Sequence, residues 1–320
     1  MKILVTGGAG FIGSNLVESL LNLPQVTFVR VLDNLATGNE NNINQFYNHP
    51  KFEFINGDIR NFDTCLSAMN GIDRISHQAA LGSVPRSIND PITSNDVNIT
   101  GTLHVLTAAK EKGISKIVYA ASSSTYGDSE TLPKVEHIIG KPLSPYAVTK
   151  YVNELYADVF HRLYGINIIG LRYFNVFGPK QNPNGPYAAV IPLFVDSVLN
   201  NKSPFINGDG SQSRDFTYVA NAVHANIKAL LAENPDTWNQ VYNIAFGERT
   251  TIIELFNILK SLSGSAIYPT FRDKRIGDIP HSLADISKAR RLLDYNPNFD
   301  IKNGLYETLK WYKENPAHFV

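Results

Sequence analysis

The chain has 320 residues, and its 29 lysines and arginines equal its 29 aspartates and glutamates, so no net field draws it to nucleic acid or an anionic membrane. That length fills one large core or two modest ones, and two lobes serving a small ligand are expected. The single cysteine, Cys65, has nothing in the chain to pair with, Met1 to Val5 runs straight into a glycine turn, and Glu18 breaks the next apolar stretch; a soluble, cytoplasmic protein with no signal peptide or membrane span is therefore expected.

Six short apolar runs follow one another through the first half: KILVTG from Lys2, FVRVLDN from Phe28, FEFINGD from Phe52, RISHQAA from Arg74, KIVYAAS from Lys116 and NIIGLRYFN from Asn167. Their unbroken apolar centres suggest strands buried on both faces. Long helical patterns at 91–112 and 145–164 separate the last pairs, each followed by a glycine, Gly113 or Gly165, where helices stop. This alternation predicts an α/β fold with a Rossmann-type, doubly wound parallel sheet. At GPKQNPNGPY (Gly178 to Tyr187) the texture changes, and a boundary is placed near residue 176. The first lobe is then 1–176. The remainder, 177–320, is expected to form a smaller α/β substrate-binding lobe, with helices near Tyr218 to Glu233 and Thr251 to Ser261, and with exchange of chain between the lobes left open.

The first run leads into TGGAGFIGSNL, which places Gly7, Gly10 and Gly13 at a strand-to-helix turn, where helix N–H groups can hold a pyrophosphate. Asp33 closes the next run 20 residues beyond Gly13, in position to bond a ribose 2′-hydroxyl. An acid there repels a 2′-phosphate and no arginine immediately follows it, so NAD is favoured over NADP.

Ser144 and Pro145 have the form of an N-cap and first helical turn, which sets Tyr146 and Lys150 one turn apart on one face. A phenol is a poor base at neutral pH unless a neighbouring ammonium favours the phenolate. By spacing alone the pair is more simply an aromatic and a lysine on an exposed helix. Its company argues otherwise, because Ser122, Ser123 and Ser124 end the fifth run at the sheet edge where ligands of open α/β sheets bind. The eight histidines show no metal-ligand spacing, His77 reads as a packed strand residue, and no metal is expected.

Together these features resemble the extended short-chain dehydrogenase/reductase family over nearly the whole chain, and within it the UDP-sugar 4-epimerases. AASSSTYGD, SPYAVTKYVNELYA, LRYFNVFGPKQNPNG and INGDGSQSRDF look like the bacterial UDP-N-acetylglucosamine 4-epimerases. The resemblance implies a catalytic set of Ser122, Tyr146 and Lys150, with Lys150 on the nicotinamide ribose. It implies that Phe11, Ile12, Asn34, Asp58, Ile59, Ala79, Ala80 and Tyr173 join the glycines and Asp33 around NAD, with Asn98 in the helix beneath. Gln78, also on the cofactor side, departs from the leucine of many relatives. For the nucleotide sugar it points to Ser83, Arg86, Ser123, Ser124, Asn175, Gln181, Ala189, Val190, Asn207 and Asp278, with Arg214 and Arg275 on the diphosphate. A homodimer through the two long helices is implied as well.

Removing a proton from the sugar 4-hydroxyl with hydride transfer gives a 4-keto sugar. Dehydratases and decarboxylases of the family carry acids just past the position of Ser122, whereas this chain has Ser123 and Ser124, so return of the hydride to the other face, epimerisation at C4, is expected. Ser282 stands where relatives restricted to non-acetylated hexoses carry tyrosine. The expected substrate is therefore a UDP-linked N-acetylhexosamine. The alternatives are a broad-specificity UDP-glucose/UDP-galactose 4-epimerase, a 4,6-dehydratase, and a non-catalytic NAD-binding protein.

Overall fold

The computed structural model describes residues 1–183, 188–273 and 280–316. The six expected runs all form strands: β1 (Lys2–Thr6), β2 (Phe28–Asp33), β3 (Phe52–Asn56), β4 (Arg74–His77), β5 (Lys116–Ser122) and β6 (Asn167–Tyr173). They pair in parallel in the order β6-β5-β4-β1-β2-β3. Both faces are covered. Ile3 and Val5 of β1 enter the core on one face while Leu4 enters the core on the other, which is why the run shows no polar alternation.

A seventh strand, Gln240–Ile244, joins the sheet in parallel beyond β6. The chain thus returns to the first sheet after residue 176, and the helix Val219–Leu231 packs on the same face as α1 (Phe11–Leu21). Smaller strand pairs build the rest: Val176–Phe177 with Thr217–Tyr218, Ser213–Arg214 with Thr250–Thr251, and Phe205–Asn207 with Thr270–Arg272. The helices expected at Tyr218 to Glu233 and Thr251 to Ser261 occupy Val219–Leu231 and Ile252–Ser263, the latter opened by a capping box of Thr251 and Glu254.

Two helical segments shape the site. Pro145–Tyr164 is capped by Ser144, whose hydroxyl accepts from the Ala147 N–H, and stops at left-handed Gly165, as its spacing predicts. The segment expected as one helix over 91–112 is instead α-helical at Pro91–Asn95, widens to a π turn at Asp96–Thr100, and resumes as Gly101–Glu111. The wide turn contains Asn98. Its amide accepts from Leu81 N (2.8 Å) and donates to Leu81 O and the Thr149 hydroxyl, both at 3.1 Å. That tie joins the strand-end loop beyond β4 to the helix bearing Tyr146. No helix among the described residues is long and apolar enough to cross a membrane.

Candidate active site

The C-terminal ends of β1, β2, β4 and β5 open into a cavity of about 520 Å3. Its dinucleotide end is made by the first turn. Gly7 has φ +70°, a Cβ on it would lie 2.6 Å from the Ala79 backbone, and a Cβ on Gly13 would lie 2.1 Å from Gly7 O; the turn closes only with glycine. Gly10 caps α1 without any side-chain hydrogen bond, and no acid occupies the first turn, so its N–H groups stay open to an anion.

Asp33, 8 % exposed, accepts from Ala9 N (3.0 Å) and Leu35 N (2.8 Å). Burial raises its carboxyl above the ordinary range, against these two backbone donors. The carboxylate both shapes the turn and faces the cavity. Asn34 donates to Asp58 at 2.8 Å, and the Arg60 guanidinium beside Asp58 holds that carboxyl down at about 2. Phe11, Ile12, Ile59, Gln78, Ala79, Ala80 and Tyr173 line the same cavity. These features fit NAD: a glycine turn with no room for a side chain, an open helix N-terminus, and acids at the ends of β2 and β3.

Ser122, Tyr146 and Lys150 line this cavity together. Lys150 is 4 % exposed and donates from Nζ to Ala120 O at 2.9 Å. Burial lowers its ammonium to about 8. The same burial raises the Tyr146 phenol, while a hydrogen bond with the Ser122 hydroxyl favours the phenolate. The Ser122 hydroxyl thus supplies one direct stabilisation of the phenolate. The lysine stands 5.9 Å from the centre of the tyrosine ring. Ser87, which the sequence did not single out, accepts from Tyr146 N at 3.0 Å and anchors the start of the helix.

A second cavity of about 300 Å3 adjoins the first and shares Asn175 and Val176 with it. Ala189, Val190, Asn207 and Arg214 line it, and Arg86 lines the first. Asn175 holds φ +36° and donates to Asp215 O at 3.0 Å. Asp215, fully buried, in turn receives backbone N–H groups of Phe246, Gly247 and Ala284.

Other expected residues stand elsewhere. Ser83 caps the short helix Val84–Asn89, accepting from Arg86 N. The serine strand end turns into a 3-10 helix, Ser123–Tyr126, in which Ser124 donates through N and Oγ to the Ser122 hydroxyl at 3.1 and 2.9 Å. Neither Ser123 nor Ser124 lines either cavity, nor does Gln181, whose amide donates to Val176 O. Ser282 is half-buried, donates from N to Ser213 O at 3.1 Å, and is also absent from both linings. Arg275 and Asp278 lie outside the described residues. His77 is bonded at both ring nitrogens, to Thr6 Oγ1 (2.7 Å) and Thr102 Oγ1 (3.0 Å). Among the described residues there is no metal-ligand cluster.

Comparison with known proteins matches residues 3–245 to the family model described as "NAD dependent epimerase/dehydratase family". The chain is 42 % identical over 319 residues to a "Putative UDP-glucose 4-epimerase" of Methanocaldococcus jannaschii, covering 98 % of this chain and 99 % of that protein. It superposes with a TM-score of 0.92 and 41 % identity on a UDP-N-acetylglucosamine 4-epimerase from Methanobrevibacter ruminantium M1, solved in complex with UDP-N-acetylmuramic acid, over 98 % of both chains. A UDP-glucose 4-epimerase from Thermus thermophilus, solved with NAD, gives 0.87 and 33 % over 98 % of this chain and 99 % of that one.

Proposed function

The chain belongs to the NAD dependent epimerase/dehydratase family as an NAD-dependent nucleotide-sugar 4-epimerase, and we propose that its substrates are UDP-glucose and UDP-galactose, with an acetylated hexosamine admitted as a second pair. The observation that carries this reading is the junction of the two cavities: Ser122, Tyr146 and Lys150 line the cofactor cavity, and Asn175 and Val176 continue it into the cavity holding Arg214. A nucleotide sugar laid across the junction puts its diphosphate near a guanidinium and its hexose near the phenol. UDP-glucose takes precedence over the acetylated substrate because the 42 % identical relative carries that name. The 41 % identical UDP-N-acetylglucosamine epimerase supports the second pair, and Ser282, which lines neither cavity, bears on it through the resemblance alone.

Tyr146 takes the proton of the sugar 4-hydroxyl while the Ser122 hydroxyl bonds the same oxygen. Lys150, charged below about pH 8, favours the phenolate that Tyr146 must be before it takes that proton and becomes the phenol. Held by the glycine turn and Asp33, NAD would supply a hydride acceptor for C4 and the donor for its return. The 4-keto sugar turns about its diphosphate linkage, with Arg214 as pivot, so that C4 takes the hydride back on its opposite face while Tyr146 returns the proton to the 4-oxygen. No acid follows Ser122, so no residue there is placed to promote loss of water. Side-by-side specificity constants for UDP-glucose and UDP-N-acetylglucosamine test the breadth. They are expected to agree within about tenfold, the scale of one ordinary hydrogen bond, and a wider gap contradicts a shared pocket.

The active form is proposed to be a homodimer. Ile88, Ile92, Val148, Leu155 and Leu163 are exposed apolar side chains on the helices Val84–Asn89, Pro91–Asn95 and Pro145–Tyr164, which suits a helix-to-helix contact between copies. A monomer by light scattering at micromolar concentration contradicts it.

A further inference from the structure

We propose that Gln78, Tyr173 and Asn226 form a closed hydrogen-bonded ring that positions the Tyr173 side chain in the wall of the NAD cavity and so sets how tightly the dinucleotide is retained; this rests on the NAD-dependent reading above. The Tyr173 hydroxyl donates to Gln78 Oε1 at 3.1 Å, Gln78 Nε2 donates to Asn226 Oδ1 at 2.9 Å, and Asn226 Nδ2 donates back to the Tyr173 hydroxyl at 2.7 Å. All three bonds run the same way round. The remaining amide protons are used as well, Gln78 on Ser76 Oγ at 3.0 Å and Asn226 on Ala222 O at 2.8 Å. Turning one amide alone would set like against like between Gln78 and Asn226, and turning both would set Asn226 Oδ1 against Ala222 O, so the ring keeps this sense.

Its location gives that arrangement a consequence. Gln78 and Tyr173 line the cofactor cavity, whereas Asn226 is fully buried in the helix Val219–Leu231 and touches neither cavity. This helix shares the α1 face of the sheet with Val118, Ile169 and Leu171, while Phe160 of the Tyr146 helix packs with Ile117, Tyr119 and Ile168 on the other. Tyr173, at the end of β6, packs on the α1 face while Tyr146 stands on a helix of the other, both lining one cavity, and the ring fixes the Tyr173 side. A leucine at position 78 would leave the tyrosine hydroxyl without its acceptor and Asn226 Oδ1 without its donor. The pairing of glutamine with asparagine is what makes a polar residue tolerable at this buried wall.

The test is the rate at which labelled NAD leaves purified holoprotein during a chase with unlabelled NAD, for wild type, Tyr173→Phe, Gln78→Leu and the double variant. Each single change is expected to speed release roughly five- to tenfold, the size of losing one hydrogen bond and stranding its buried partner. The double variant is expected to release no faster than the faster single one, because both changes break the same ring. Tyr173→Phe removes one oxygen without altering the packing; should Gln78→Leu not fold, Asn226→Asp, which removes the donor to Tyr173, takes its place in the cycle. Release at the wild-type rate with a lowered Tm makes the ring merely structural and overturns the proposal, as does an additive double variant. A wild-type protein that binds no NAD overturns the functional reading instead.

Discussion

Glu154 receives Nε and NH2 of Arg172 at 2.8 and 2.6 Å, with the two side chains only 7 % and 4 % exposed. Glu154 lies two helical turns beyond Tyr146, on the side of Lys150, and Arg172 is the penultimate residue of β6. The guanidinium also stacks 4.8 Å from the Tyr126 ring, just past the serine strand end, and donates to Glu136 O. One cation thus references both the Tyr146 helix and the Ser122 segment to the sheet.

Replacing Glu154 by alanine leaves that cation buried and unpaired. The expected cost is about 3 to 5 kcal/mol of folding stability, read as a lower urea midpoint at unchanged m-value. A loss below about 1 kcal/mol, the range of surface pairs, contradicts a buried anchoring role.

Lys150 is expected to set the alkaline limit of the proposed reaction. Burial lowers its ammonium from the ordinary 10.5 to about 8, so the charge that favours the phenolate is lost as pH rises through that value. The specificity constant is expected to fall above about pH 8, and in Lys150→Arg, slower overall, that limb should move beyond the measurable range because guanidinium stays charged. An identical alkaline limb in both proteins assigns it to another group.

His77 predicts the acid side of stability. Its folded value is depressed to about 3 by burial and by the nearby Lys150 charge, against 6.5 ordinarily. Its contribution is therefore complete above pH 6.5 and is lost as pH falls towards 3. Between pH 6.5 and 5 the loss from this residue is about 2 kcal/mol. Urea unfolding of His77→Asn should be weaker at pH 7 but flatter between 6.5 and 5, and an equal slope contradicts the assignment.

Ser282→Tyr tests the second substrate pair. The tyrosine is expected to lower the specificity constant for UDP-N-acetylglucosamine at least about tenfold, as loss of room for one small group does in a shaped pocket, while UDP-glucose changes little. Equal loss on both substrates means that position 282 supports the loop through its backbone bond to Ser213 rather than walling the sugar.

The sheet was legible because β1 to β6 carry unbroken apolar centres, and the Tyr146 helix because Ser144, Pro145 and Gly165 mark its ends. The convergence of Gly7, Asp33, Ser122 and Tyr146 on one edge follows from parallel strand order. Less could be read where distant residues decide. Gln240–Ile244 is a short run whose place beyond β6 depends on tertiary pairing, and the π turn at Asp96–Thr100 accompanies the reach of Asn98 to Leu81 and Thr149. Asn226 gave no signal at all: an asparagine inside an apolar helix acquires meaning only when Gln78 and Tyr173, 148 and 53 residues away, are found beside it.

The most direct measurement uses UDP-glucose deuterated at C4, incubated with the purified protein without added NAD. If Tyr146 moves the proton and the hydride returns within one turnover, UDP-galactose forms with deuterium retained at C4, and Tyr146→Phe abolishes its formation. Product with deuterium lost to solvent, accumulation of a 4-keto-6-deoxy sugar, or no conversion of any UDP-sugar by NAD-loaded protein would contradict the account.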